Sequence, residues 1–131
     1  MSRAGCAIGF AIALAGCSQS LGKDDIVGVY AGTMENGRAY RLEMRDSLDY
    51  RFCRPDDTQC ADPEFLGSYQ VVRLGAQLIV TFNLLCIAPD GNCKTYEAKV
   101  TGMGPASVQL DFVDETDTSH VFVKQRQTTA R

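Results

Sequence analysis

The sequence predicts an all-β domain, an eight-stranded antiparallel barrel of up-and-down order. Three features predict it. Apolar and polar residues alternate with a period of two in segment after segment, the side-chain period of a half-buried strand. Short connections rich in Gly, Pro, Asn and Asp separate these segments, which favours antiparallel pairing of neighbours. No stretch after residue 20 repeats its apolar residues at sustained helical spacing.

The first strand runs from Ile26 to Gly32. Tyr40 to Arg45 alternates strictly, and Leu48 to Phe52 repeats the pattern after a turn at Asp46-Ser47. Phe65 to Val72 follows. Leu78 to Leu85 is more apolar, with Val80, Phe82 and Leu84 sharing one face opposite Thr81 and Asn83. Tyr96, Ala98 and Val100 alternate with Glu97 and Lys99, and Val108, Leu110 and Phe112 alternate with Gln109 and Asp111. Val121 to Arg126 is the last strand, its inward parity left open. Eight strands that are polar on one face close most simply into a barrel. A two-sheet sandwich would account for the same alternation. The inward candidates include Tyr40, Tyr50, Phe52, Tyr69, Phe82, Tyr96 and Phe112. So many rings in so small a barrel predict a filled interior rather than an open calyx.

Met1-Ser2-Arg3 precedes an uncharged, mostly apolar run from Ala4 to Leu14. That run is too short to cross a bilayer as a helix, which takes about 20 residues. It suits the hydrophobic region of a secretory signal, about 7–15 residues long. It ends in Leu14-Ala15-Gly16-Cys17, which resembles the lipobox of bacterial lipoprotein precursors. The resemblance implies cleavage before Cys17 and a lipid (palmitate among its acyl chains) on that cysteine; a plain signal peptide with a chance cysteine is the competing reading. Two chains suffice where one is marginal, at about 0.8 kcal/mol per buried methylene. Ser18 stands where proteobacterial relatives retained at the inner membrane carry Asp, which implies the outer membrane, facing the periplasm of the cell envelope. The expected organisation is a signal peptide over 1–16, a lipidated tether over 17–25, a barrel over 26–127 and a tail over 128–131.

Cys6 would leave with the leader, and Cys53, Cys60, Cys86 and Cys93 remain beyond Cys17. Exported chains meet an oxidising compartment in which such cysteines pair. Four cysteines allow three connectivities. Cys53–Cys60 and Cys86–Cys93 are expected, because each pair flanks a loop of turn formers, Arg54 to Gln59 and Ile87 to Asn92. Closing so short a loop contributes about 2–3 kcal/mol on the chain-entropy model. A zinc site would space its cysteines by about two to four residues. The second loop is expected to expose Ile87 and Ala88. If rigid, both loops would lose little entropy on meeting a partner.

The stretch Ile26-Val27-Gly28-Val29-Tyr30-Ala31-Gly32 resembles the opening strand of lipocalin-like barrels, which carry Gly-x-Trp there. Gly28 matches the glycine and Tyr30 replaces the tryptophan. The resemblance implies that the Tyr30 ring plugs one end of the barrel, with Lys124 or Arg126 of the last strand on its face.

The remaining chemistry is sparse. His120, the one histidine, is expected at the rim of the last strand. Asp24-Asp25, Asp56-Asp57 and Asp114-Glu115 fall in loops or strand ends, where solvated carboxylates are commoner than catalytic pairs. No metal site, cofactor or enzymatic activity is expected. The net charge of −3 becomes −4 once Arg3 is removed, without the basic patch that nucleic acid requires. The chain is therefore expected to be a membrane-anchored binding or interaction module engaging an envelope protein through rim and loops, an inhibitor being one form. The alternative is a carrier of a small apolar ligand inside the barrel.

Overall fold

The computed structural model describes residues 21–114 and 116–126; the expected leader, Cys17, Glu115 and the expected tail lie outside the described residues. Eight strands follow in order: β1 (Gly28–Thr33), β2 (Ala39–Met44), β3 (Asp49–Cys53), β4 (Phe65–Leu74), β5 (Gln77–Leu85), β6 (Lys94–Thr101), β7 (Gln109–Val113) and β8 (Ser119–Lys124). Each pairs antiparallel with the next. β8 returns to β1 through Tyr30↔Lys124 and Ala31↔Val123, which closes the barrel and leaves no unpaired edge. That closed order excludes the two-sheet sandwich. Two 3₁₀ turns, Lys23–Ile26 and Pro105–Ser107, are the helical elements among the described residues.

Alternation sets the inside and the outside. On β2, Tyr40, Leu42 and Met44 are buried while Arg41 and Glu43 lie on the wall. β6 buries Tyr96, Ala98 and Val100 and turns Glu97 and Lys99 outward. This is the reverse of a lipid-embedded barrel, which needs its apolar residues outside. Among the described residues no helix is long and apolar enough to cross a membrane. On β8, whose parity the apolar run Val121-Phe122-Val123 hides, Phe122 faces in and both valines face out.

β5 departs from expectation at one residue. Leu84 does not share the inward face of Val80 and Phe82; it is 72% exposed, and Leu85 is buried in its place. The β5–β6 register shifts between Phe82 and Leu85, and Leu84 has φ of 47°, a left-handed conformation unusual outside glycine. The extra residue of a bulge inverts the parity beyond it.

The interior is filled. Phe52, Phe82, Phe112 and Phe122 form a closed quartet, with ring centroids 6.2, 5.1, 5.5 and 5.9 Å apart in turn. Tyr50 and Tyr69 add edge and tilted contacts to Phe82. Two inward glycines make room: a Cβ at Gly32 would lie 2.7 Å from the Phe122 ring, and one at Gly67 2.8 Å from the Tyr50 hydroxyl.

All five tyrosines of the sequence have hydroxyl partners, as burial of a phenol requires. Tyr30, Tyr50 and Tyr69 donate to the carbonyls of Ile26, Asn83 and Arg45 at 2.7, 3.2 and 2.7 Å. Tyr40 accepts from Asn36, and Tyr96 donates to Glu35. Burial raises the pKa of Tyr30, Tyr50 and Tyr69 above the ordinary 10.0, since a buried phenolate loses its hydration. Their contribution to stability is therefore constant below about pH 10 and falls above it, where the unfolded chain ionises first. An ultraviolet titration will show these three phenols released only as near-ultraviolet circular dichroism collapses. Free titration of all five in the folded state would contradict their burial.

Candidate interaction rim

In an up-and-down barrel, alternate connections share an end. The connections 34–38, 54–64, 86–93 and 114–118 therefore rim one mouth. Their described residues hold eight of the sixteen acids, with Arg38 and Arg54 as their bases and Lys94 beginning β6 beside them. The chain approaches at the opposite end, where β1 begins.

Both expected disulfides, Cys53–Cys60 and Cys86–Cys93, are present, and both lie at this mouth. Among the described residues no cysteine is free. Within the first loop the amide of Asp57 donates to the Arg54 carbonyl at 2.9 Å. The Asp57 carboxylate accepts from the amides of Asp62 and Ala61 at 3.0 and 2.9 Å, which holds its pKa below the ordinary range. Arg38 ties the first connection to this loop through Glu64, at 2.9 Å, and lies over the Tyr40 ring. A concavity of about 550 Å³ opens between Arg54, Asp56, Asp57, Asp62 and Glu64. The second loop corrects an expectation. Ile87 and Ala88 are 1% and 8% exposed, because the loop folds back over the mouth and Ile87 joins the core. Its outer tip is polar, with Asp90 accepting from the amide of Asn92 at 3.0 Å.

On the far side of the mouth, the Tyr96 hydroxyl donates to Glu35 Oε2 at 2.6 Å, and Lys94 lies 3.9 Å from the same carboxylate. His120 is half-buried at the rim and pairs through Nε2 with Asp114 Oδ2 at 2.8 Å. The other oxygen of Asp114 accepts from the amides of Thr116 and Thr118 at 2.8 and 3.0 Å and from the Thr116 hydroxyl. These bonds, His120 first, hold the Asp114 carboxyl well below its ordinary range. Among the described residues no group of three or more His, Cys, Asp or Glu side chains is placed to hold a metal ion.

Since the Asp114 pKa is depressed by folding, its stabilising contribution is full above the ordinary aspartate value, about 3.9, and is lost as pH falls below it. Asp114→Asn will lower the melting temperature at neutral pH, and the gap from the native chain will narrow below about pH 4. A gap that stays constant down to acid pH would contradict the role given to this carboxylate.

The opposite end gathers most of the lipocalin-like set. Tyr30 is fully buried there, and Lys124 is its cross-strand neighbour. The ammonium crosses Gly28 and donates to the carbonyls of Asp25 and Pro105 at 2.8 and 3.0 Å, so the contacts it makes are with the two 3₁₀ segments rather than with the ring face. Among the described residues the cation–ring contacts are Arg38 over Tyr40 and Lys94 over Tyr96. A Cβ at Gly28, where φ is 152°, would stand 2.6 Å from Lys124 Cε. Arg126 lies beyond β8 and is exposed. Of the stretch read as tether, Leu21 packs partly against the core, and Ile26 beyond it is fully buried.

Sequence reasoning missed Glu35, Arg38, Glu64 and Asp114 as a connected rim. Glu35 and Arg38 find their partners far along the chain, 61 residues away at Tyr96 and 26 at Glu64, while Asp114 is held locally by Thr116, Thr118 and His120. Compared with protein-family models, with curated proteins and with solved structures, the chain matches none.

Proposed function

We propose that this chain is an envelope lipoprotein, cleaved before Cys17 and held in the membrane by lipid on that residue. Its lipocalin-like barrel binds a protein partner through the acidic, disulfide-stapled mouth. The filled interior is the observation that carries this reading: the phenylalanine quartet occupies the axis where a carried ligand would sit. The mouth offers the complementary features. Its loops are closed by disulfides and cross-tied by Arg38–Glu64, so little entropy is lost on binding. Its acids favour a partner with a basic face and make encounter salt-dependent. The leader and Leu14-Ala15-Gly16-Cys17 support the anchor, and an outer-membrane site facing the periplasm accords with Ser18. Inhibition of an enzyme that reaches the envelope is one form such binding takes.

Photo-crosslinking in intact cells tests the reading. A photoreactive residue at Gln59 or Asn92 will capture one protein, and the yield will fall as salt rises. The same group at Thr101, at the other end of β6, will not. Equal capture from both ends, or capture from neither, would overturn binding at the mouth.

A further inference from the structure

We propose that the end of the barrel opposite the acidic mouth seats on the membrane surface, with Leu74 and Met103 inserted at the headgroup boundary. This rests on the lipid anchor at Cys17 proposed above. Leu74 stands at the β4–β5 turn and Met103 in the β6–β7 connection, and they are 60% and 78% exposed. Both hairpin ends belong to one end of the barrel, joined across the β5–β6 ladder by Leu78↔Val100 and by the Gln77 side-chain amide donating to the Val100 carbonyl at 3.0 Å. Both side chains leave most of their surface in water, and a bilayer offers them an apolar boundary about 5–10 Å deep.

The chain arrives beside them. Arg73, which precedes Leu74, donates from Nη2 to the Leu21 carbonyl at 2.7 Å. Four peptide links separate Leu21 from Cys17, a reach of about 14 Å at most at roughly 3.3–3.6 Å per residue. A lipid on Cys17 therefore holds this end, and not the mouth, at the bilayer. Charge acts in the same sense. The connections 45–48, 75–76 and 102–108 carry only Arg45 and Asp46, and the arriving segment adds Lys23, Asp24 and Asp25, so three acids stand here against eight described ones around the mouth. Anionic lipid repels the mouth and tolerates this end, where Arg73 and Lys99 can meet phosphates. Seated so, the barrel holds its disulfide loops away from the membrane, where a partner can reach them.

The sequence contains no tryptophan, so a single one introduced reports its own position. Leu74→Trp, Met103→Trp and, on the mouth, Asn92→Trp are each made in the full chain. Each is purified with its lipid and reconstituted into phosphatidylethanolamine–phosphatidylglycerol vesicles with brominated acyl chains. Tryptophan at 74 and at 103 is expected to emit at shorter wavelength and to be quenched several-fold more than at 92. Protein that sediments with the vesicles but shows equal, weak quenching at all three positions would overturn the seating and leave the anchor intact. Protein that does not sediment would overturn the anchor and the seating with it.

Discussion

Phe82→Ala will cost about 3–5 kcal/mol, the usual range for deleting a buried phenylalanine ring. Phe82 touches Tyr50, Phe52, Tyr69 and Phe112, so its loss opens a cavity at the centre of the aromatic network and not at its margin. Domains of this size hold only about 5–15 kcal/mol in total, so the variant will unfold at much lower denaturant or be partly unfolded in its absence. Urea titration followed by circular dichroism measures it, with the midpoint shifted and the slope unchanged. Leu84→Ala, two residues along, is the matched control. Its side chain is 72% exposed on the bulge, and its loss will change stability by no more than about 0.5 kcal/mol. A tolerated Phe82→Ala would mean that the interior has space for a ligand, and would revive the carrier reading.

Cys17→Ser will release the protein from the membrane fraction and abolish its labelling by radioactive palmitate. On the lipoprotein reading proposed above, the effect is all-or-none, because the Cys17 sulfur would be the attachment atom and a serine hydroxyl would not accept the diacylglycerol. Without that transfer the leader is not removed, so the variant will also migrate as the longer precursor. The barrel itself is expected to be untouched, since among the described residues those packed on its core begin at Leu21. Labelling and membrane retention that survive the substitution would overturn the lipoprotein reading while leaving the fold as described.

Most of the strands were legible because they keep one polar face, so the period of two survives in the sequence. The disulfides were legible for a related reason, each pair flanking six residues of turn formers: Cys86–Cys93 spans the whole β5–β6 connection and Cys53–Cys60 the first part of the longer β3–β4 connection. What failed was non-local. A bulge leaves no trace in hydropathy, so Leu84 read as an inward residue. Ile87 and Ala88 read as exposed because they sit in a loop; only the closed barrel shows that this loop turns back on the mouth and adds Ile87 to the core. The valines beside Phe122 gave β8 two apolar faces and hid its parity. Lys124 was legible as the neighbour of Tyr30, but the carbonyls that hold its ammonium come from Asp25 and Pro105, 99 and 19 residues away. The rim was the least legible feature. Its acids are scattered in the sequence and converge only because alternate connections of a closed barrel share an end.

A filled barrel on a lipid tether, working from its mouth, makes one joint demand on mass. Native mass spectrometry of the protein extracted from its own membranes should give the 115-residue chain beginning at Cys17, with covalent acyl chains. Activation should release no small molecule from the interior. A full-length chain of 131 residues without lipid, or a stoichiometric apolar ligand leaving the barrel, would contradict it.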